Sequence, residues 1–352
     1  MSPTIQPLFD GPLDLVGDVH GEIDALRALL GHLGYRHDGR EHPHGRRLVF
    51  LGDLCDRGPD SPAVVARVAD LVARGVAQCV LGNHELNALR ADLKDGNAWL
   101  LAADHPENTG RFACAVAPPS VRRACEAFFR TLPLALARPD LRVVHAAWDM
   151  EAIARLGATD VDSLTAYAWH EAEADAALAS LSQLREAALA PHRHALSDRA
   201  YAMPHLPEVG RHDALRQTLN PVRRLTSGLE REAERPFFAS HKWRFSQRVR
   251  WWRAYDDPTA VVFGHYWRSA HPAGEAGEGE PDLFEACEPG AWLGPRASAF
   301  CVDFSVGRRF DERNARHVGA IAPGTPFRSR LAAVRWPERD VVFDDGARVA
   351  PP

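Results

Sequence analysis

The sequence predicts an α/β fold whose chemistry gathers beyond the carboxyl ends of parallel strands. Three observations carry that reading. Short apolar runs end abruptly in ligand-type residues at Leu15-Val16-Gly17-Asp18-Val19-His20, Phe50-Leu51-Gly52-Asp53-Leu54-Cys55-Asp56-Arg57, Val80-Leu81-Gly82-Asn83-His84, Val143-Val144-His145 and Phe263-Gly264-His265. Runs of this length suit buried strands, and Gly-Pro after Arg57 is a breaker. Helical spacing lies between the first three runs, so the first 85 residues read β-α-β-α-β and imply right-handed parallel crossovers. Ligands of such sheets sit beyond the carboxyl ends of the strands, which is where every charged tip falls.

Taken in order, residues 12–18 read as a strand, and 22–33 as a helix with Ile23, Leu26, Leu29, Leu30 and Leu33 on one face. A loop at 34–46 precedes a strand at 47–52. Ser61-Pro62 opens a helix over 61–74, and Gly75 ends it. A strand at 77–82 follows, then an exposed loop at 104–119, a helix at 120–131 and a strand at 141–146. Residues 150–200, rich in Ala, Leu, Glu and Arg, read as helices inserted into the fold, and 201–247 as irregular. Strands are expected at 249–252, 260–264, 299–304 and 331–336, with 340–343 pairing with the last of these and a long loop at 271–297. The expectation is one domain over 11–345 with a helical insertion at 150–235.

With 352 residues and 45% hydrophobic content, a sizeable core is expected. The formal charge of −5 argues against bulk binding of nucleic acid or an acidic membrane. No apolar run reaches the roughly 18 residues of a membrane span. Residues 1–10 lack a basic segment followed by an apolar one, so no signal peptide is expected and the cytoplasm is the expected location. The six cysteines form no CxxC pair and read as buried reduced thiols.

Charge at the tip of a buried strand is costly unless partnered, and a metal ion is a frequent partner. Asp18, His20, Asp53, Asn83, His145 and His265 offer carboxylate, imidazole and amide donors. Mixed oxygen and nitrogen ligands suit Mn, Fe or Zn better than Mg or Ca. Asp18 and His20, two apart, would point the same way on an extended strand end. Asp53 is central enough to bridge. Two divalent ions about 3.5–4 Å apart would clamp a phosphate and activate water.

Gly17-Asp18-Val19-His20-Gly21, Gly52-Asp53-Leu54-Cys55-Asp56-Arg57-Gly58 and Gly82-Asn83-His84-Glu85 resemble the three signatures of calcineurin-like metallophosphoesterases. They are closest to the branch holding the Ser/Thr phosphoprotein phosphatases and the symmetrical diadenosine tetraphosphate hydrolases. His145 and Gly264-His265 match the later blocks. The resemblance implies a four-layer α/β/β/α sandwich. It also implies hydrolysis of phosphomonoesters by direct attack of a metal-bound hydroxide. Asp18 and His20 would hold a first metal, Asp53 would bridge, and Asn83, His145 and His265 would hold a second. Manganese is the expected ion in vitro.

His84 would then act as general acid, Asp56 would orient it, and Arg57 would grip phosphate oxygens. Arg250 and Arg253 are candidates for a second phosphate arginine. Trp267 stands where many superfamily phosphodiesterases have a second histidine, as in the phosphatase branch. One rival is hydrolysis of a dinucleoside polyphosphate, with base stacking on Trp148, Trp251 or Trp267. The other is a non-catalytic metal-binding scaffold. The expected partner is a phosphorylated protein, nucleotide or small molecule.

Overall fold

Alternation within short strands sets the layering. The computed structural model describes residues 4–94, 96–101, 111–239, 241–270, 283–284 and 287–352. Its strands, in chain order, are β1 (Ile5–Pro7), β2 (Leu13–Val16), β3 (Arg47–Phe50), β4 (Ala77–Cys79), β5 (Ala135–Arg138), β6 (Leu141–Val144) and β7 (Glu230–Ala239). They continue with β8 (Lys242–Arg248), β9 (Ala260–Phe263), β10 (Ala299–Cys301), β11 (Ala332–Trp336), β12 (Val341–Phe343) and β13 (Arg348–Val349). The helices are α1 (Ile23–Leu33), α2 (Ser61–Ala73), α3 (Asn83–Leu89), α4 (Pro119–Phe129), α5 (Met150–Gly157), α6 (Ser163–Leu189), α7 (Pro207–Leu219), α8 (Pro221–Ser227) and α9 (Arg309–His317).

One sheet runs β13-β12-β11-β2-β3-β4 and the other β1-β5-β6-β9-β10. Leu13, Leu15, Val49 and Leu51 of the first meet Leu136, Val143, Val262 and Phe300 of the second in one buried cluster. The alternate residues Val16, Leu48 and Phe50 face outward onto Leu26, Leu29 and Val64 of α1 and α2. The arrangement is the expected helix-sheet-sheet-helix stack. β2, β3 and β4 are parallel, as are β6, β9 and β10. The two sheets therefore present strand ends, and the loops beyond them, to one shared edge.

Several expectations need correction. The chain over 201–247 is not irregular: it forms α7, α8 and the antiparallel hairpin β7-β8. α7 buries Val209, Gly210, His212, Ala214 and Gln217, so it shows no apolar stripe for sequence to reveal. Residues 249–252 are not a strand: β8 ends at Arg248 and Trp251–Ala254 form a 3-10 turn. Both Trp251 and Trp252 are buried against Phe263, and an apolar run alone does not separate a strand from a buried turn. The inserted unit thus extends through the hairpin. It has its own small core of Leu189, Ala195, Met203, Val209 and Phe245. β1 pairs with β5 and β13 with β12, so both sheets reach beyond residues 11 and 345. The expected loops fall outside the described residues at 104–110 and at 271–282 and 285–286. No described helix is long and apolar enough to cross a membrane. Cys55, Cys79, Cys125 and Cys301 are buried and free, whereas Cys287 is exposed.

Candidate metal centre

The site residues lie just beyond the strands, in turns rather than on strand ends. β2 stops at Val16, and the backbone N–H groups of Val19 and His20 both donate to the Asp53 carbonyl, at 3.0 and 2.8 Å. Asp18 and His20 are therefore brought together by a turn that wraps onto the β3 loop, not by strand alternation. His20, Asp53, Asp56, Arg57 and His265 all have left-handed backbones, with φ of 46°, 48°, 72°, 69° and 70°. Such conformations are sparse for residues with a Cβ and persist only where the surroundings fix them. Glycines make room for the turns. A Cβ on Gly82 would lie 2.3 Å from Asp53 Oδ1, and one on Gly264 2.2 Å from Asp18 Oδ1.

Glu85 supplies much of that fixing. Its buried carboxylate accepts from the N–H groups of Asp53, Leu54 and Gly82 at 2.8, 2.8 and 3.0 Å. It is the third residue of α3, so it reaches back over the helix start as capping glutamates do. Glu85 closes the motif Gly82-Asn83-His84-Glu85, and the sequence alone assigns it no role. Two other contributors went unnoticed. Trp99 donates its indole N–H to Asp56 Oδ1 at 2.5 Å. Asp303 accepts from the N–H groups of Trp267 and Ser305, each at 2.8 Å, and so ties β10 to the His265 loop.

The donors converge. His20, Asp53 and His84 place one ligand atom each within 4.8 Å of one another, and so do Asp53, His145 and His265. Asp53 belongs to both groups. Asp18 Oδ2 lies 4.0 Å from His20 Nε2, and Asn83 Oδ1 lies 3.2 Å from His145 Nε2. Asp53 Oδ2 is 3.8 Å from His20 Nε2 and 3.4 Å from His145 Nε2. Atoms each about 2 Å from a shared ion stand roughly 3–4 Å apart, so these spacings fit. The ring orientations fit too. His20 Nδ1 donates to the Cys55 carbonyl at 3.1 Å and His145 Nδ1 to the Leu51 carbonyl at 2.6 Å, which turns each Nε2 into the site.

The charges also fit divalent ions. Burial raises Asp18 well above the usual carboxylate range, and Asp303 and Asp53 add to that. Burial, then Asp53, raises Glu85. Burial works against the charged form of His145, yet Asp53 and Asp18 outweigh it and lift the imidazole to about 10. Asp53 is held well below its usual range, because His145, His84 and His20 overcome its burial. Buried acids crowded this closely, faced by imidazole nitrogens, are the donor set that a pair of cations relieves.

His84 and Arg57 lie on the open side. His84 Nδ1 and Asp56 Oδ2 are 2.5 Å apart, as the orienting role requires. His84 also enters the cluster with Asp53 and His20, closer to the ligand set than the sequence suggested. Arg57 donates from Nη1 to His20 Nε2 and from Nη2 to His84 Nε2, both at 3.2 Å. Arg250 caps the 3-10 turn and is half-buried. After burial, the charge of Arg248 is the largest influence holding His265 below its ordinary value. Trp251 is no stacking platform, since its N–H donates to Ala146 and its ring packs in the core. Trp148 is likewise buried. Trp267 does border the site, with Arg57 over its ring at 4.8 Å and Arg308 at 5.1 Å.

The family profile described as calcineurin-like phosphoesterase matches residues 11–178. Residues 11–178 of the chain are similar to the calcineurin-like phosphoesterase domain. A curated relative named bis(5'-nucleosyl)-tetraphosphatase PrpE [asymmetrical], from Halalkalibacterium halodurans, is 47% identical over 73 residues, covering 20% of this chain and 30% of that protein. Its namesake from Bacillus subtilis is 44% identical over 73 residues, with the same coverage. The chain thus spans less than a third of the length of these relatives. Among solved structures, the cold-active protein-tyrosine phosphatase of a psychrophile Shewanella sp. matches with a TM-score of 0.47 and 15% identity, over all of this chain and 83% of that one.

Proposed function

We propose that this phosphoesterase domain hydrolyses phosphomonoesters at a dinuclear centre. Asp18, His20 and Asp53 would hold one divalent ion, and Asp53, Asn83, His145 and His265 the other. The observation that carries the reading is the pair of three-residue clusters sharing Asp53. When bound, the ions supply an activated water and positive charge against the phosphate oxygens.

The chain's own residues do the remaining work. Arg57 presents a planar fork over His20 and His84 and binds phosphate oxygens that gain charge in the transition state. His84 turns Nε2 to the same face, fixed by Asp56, and gives a proton to the leaving oxygen. Glu85 and Asp303 keep the loops in strained conformations that bring these groups together. Trp99 holds Asp56 in turn.

The test is turnover by Mn-loaded protein on para-nitrophenyl phosphate, phosphoserine, mononucleotides and dinucleoside polyphosphates. Turnover of monoesters that a chelator abolishes is expected. Metal binding with no turnover of any phosphate ester would overturn the reading in favour of a scaffold. A second reading, hydrolysis of the anhydride in a dinucleoside tetraphosphate, draws on the names of the curated relatives. It predicts turnover on the dinucleotide exceeding that on monoesters.

A further inference from the structure

Two guanidiniums rest on one indole at the open side of the centre. Arg57 lies 4.8 Å from the Trp267 ring centroid and Arg308 lies 5.1 Å from it, so the two guanidinium carbons stand no more than about 10 Å apart. Arg57 is held by the loop beneath it: its backbone N–H donates to the Gly96 carbonyl at 2.8 Å, and a Cβ on Gly96 would lie 2.8 Å from Arg57 Cγ. The turn that carries Arg308 closes on the same residues. A Cβ on Gly307 would lie 2.6 Å from His20 Cδ2 and 2.7 Å from Arg57 Nη1, so only bare backbone allows this approach. Indole and turn share one anchor. The buried Asp303 carboxylate accepts from the N–H groups of both Trp267 and Ser305. Ser305 donates its hydroxyl to the Arg268 carbonyl at 3.0 Å, and its own carbonyl accepts from the Arg308 N–H at 2.9 Å.

Arg308 differs from the arginines that follow it. Arg309 is matched by Asp344 at 2.8 Å, Arg313 by Glu22, and Arg316 by the Thr325 carbonyl. Among the described residues, no hydrogen bond or ion pair reaches the exposed Arg308 guanidinium, which meets only the Trp267 ring. Arg57 likewise meets imidazoles and no carboxylate among the described residues. Positive charge that is held in place without a partner is half of a charge-assisted pair. With a phosphate on Arg57, Arg308 is within reach of the part of the substrate that does not react. One free guanidinium balances one negative charge, and its planar fork fits a carboxylate through two parallel bonds.

We propose that Arg308, set on Trp267, is a specificity residue that binds a carboxylate on the non-reacting part of a phosphomonoester. The proposal rests on the hydrolytic reading above and names what that site selects. In the Mn-loaded protein, Arg308→Ala is expected to lower the ratio of kcat/KM on para-carboxyphenyl phosphate to that on phenyl phosphate by about three- to five-fold, the range of an exposed ion pair. The loss should sit in KM, because the contact lies away from the reacting atoms. Arg308→Glu is expected to lower the ratio further, and Arg308→Lys to keep most of it. An unchanged ratio in both Arg308→Ala and Arg308→Glu overturns the proposal. So does a wild type that favours para-phenylene bisphosphate over phenyl phosphate but gains nothing from the carboxylate. Isothermal titration of the Mn-loaded protein with para-carboxyphenylphosphonate and phenylphosphonate, which cannot be hydrolysed at an ester bond, separates the subsite from the chemistry. Tighter binding of the carboxylated phosphonate by the wild type, lost in Arg308→Glu, supports the subsite even if no ester is turned over. Equal binding of the two by the wild type, or binding of neither, overturns it.

Discussion

The metal centre and the inserted unit handle buried charge in opposite ways. At the centre, Asp18, Asp53, Glu85 and Asp303 are all buried and crowd one another, beside turns in which His20, Asp53 and His265 have left-handed backbones. In the insertion, half-buried Glu171 is met by matched partners: Arg216 at 2.6 Å, Arg223 at 2.8 Å and the Asn220 amide at 3.0 Å. The first arrangement is unfavourable by itself and makes sense as a receptor for cations. The second is complete without a ligand and makes sense as a brace. Crowded like charge marks chemistry, and matched charge marks architecture.

The contrast breaks most sharply at Asp53. Asp53→Asn removes the carboxylate common to both clusters, and turnover is expected to fall by ~10³-fold or more while the fold persists. Comparing kcat/KM with circular dichroism checks both halves of that statement. Near wild-type turnover would remove Asp53 from the chemistry.

His84→Asn comes next. A general acid contributes about 10²–10⁴-fold, and that benefit shrinks when the leaving group is stable as an anion. Phosphoserine turnover should therefore suffer far more than turnover of para-nitrophenyl phosphate. Because His84 also lies within the Asp53–His20 cluster, metal content measured on the same variant separates the roles. Retained metal supports proton transfer, and lost metal makes His84 a ligand.

Arg57→Ala is expected to raise KM and lower kcat, together about 10–100-fold in kcat/KM, with metal content unchanged. Loss of folding, seen as a lowered Tm, would show that its packing under Gly96 matters more than its fork.

Glu171→Gln should do the reverse, leaving turnover alone and moving stability. Burial favours its neutral form, but Arg223 and Arg216 outweigh that and hold the folded-state pKa at about 2, against an ordinary 4.5. Its ionised pairing therefore stabilises the fold above about pH 4.5, and the contribution fades as pH falls toward 2. Between pH 5 and 3, wild-type Tm should drop more steeply than that of the variant, the difference corresponding to about 1 kcal/mol of stability after solvent screening. Parallel curves would mean that the brace contributes nothing.

The same contrast explains what was legible in the sequence. Asp18, Asp53 and His145 stood out because each follows an apolar run, where charge is conspicuous. The β-α-β-α-β order was legible in the first 85 residues, whereas the four layers were implied by the family resemblance. Asp303 was hidden, since Phe300-Cys301-Val302-Asp303-Phe304 reads as a strand and its task depends on the distant loop after Gly264. Trp99 meets Asp56 from 43 residues away, with no local signal. Left-handed backbones fall on His20, Asp53, Asp56, Arg57 and His265 as well as on Gly21 and Gly52, and only the glycines announce such a turn by residue type. In the insertion, charge-paired helices and the β7-β8 hairpin lack the clean periodicity that separates helix, strand and loop. Arg248, whose charge bears on His265, ends that hairpin, which the sequence read as irregular.

The claim beneath all of this is that Asp53 serves two cations at once. Elemental analysis of the Mn-reconstituted wild type, with turnover assayed on the same sample, tests it most directly. The expected result is two ions per chain, with turnover rising in step with occupancy. Full turnover with one ion bound, or with none, would contradict the account.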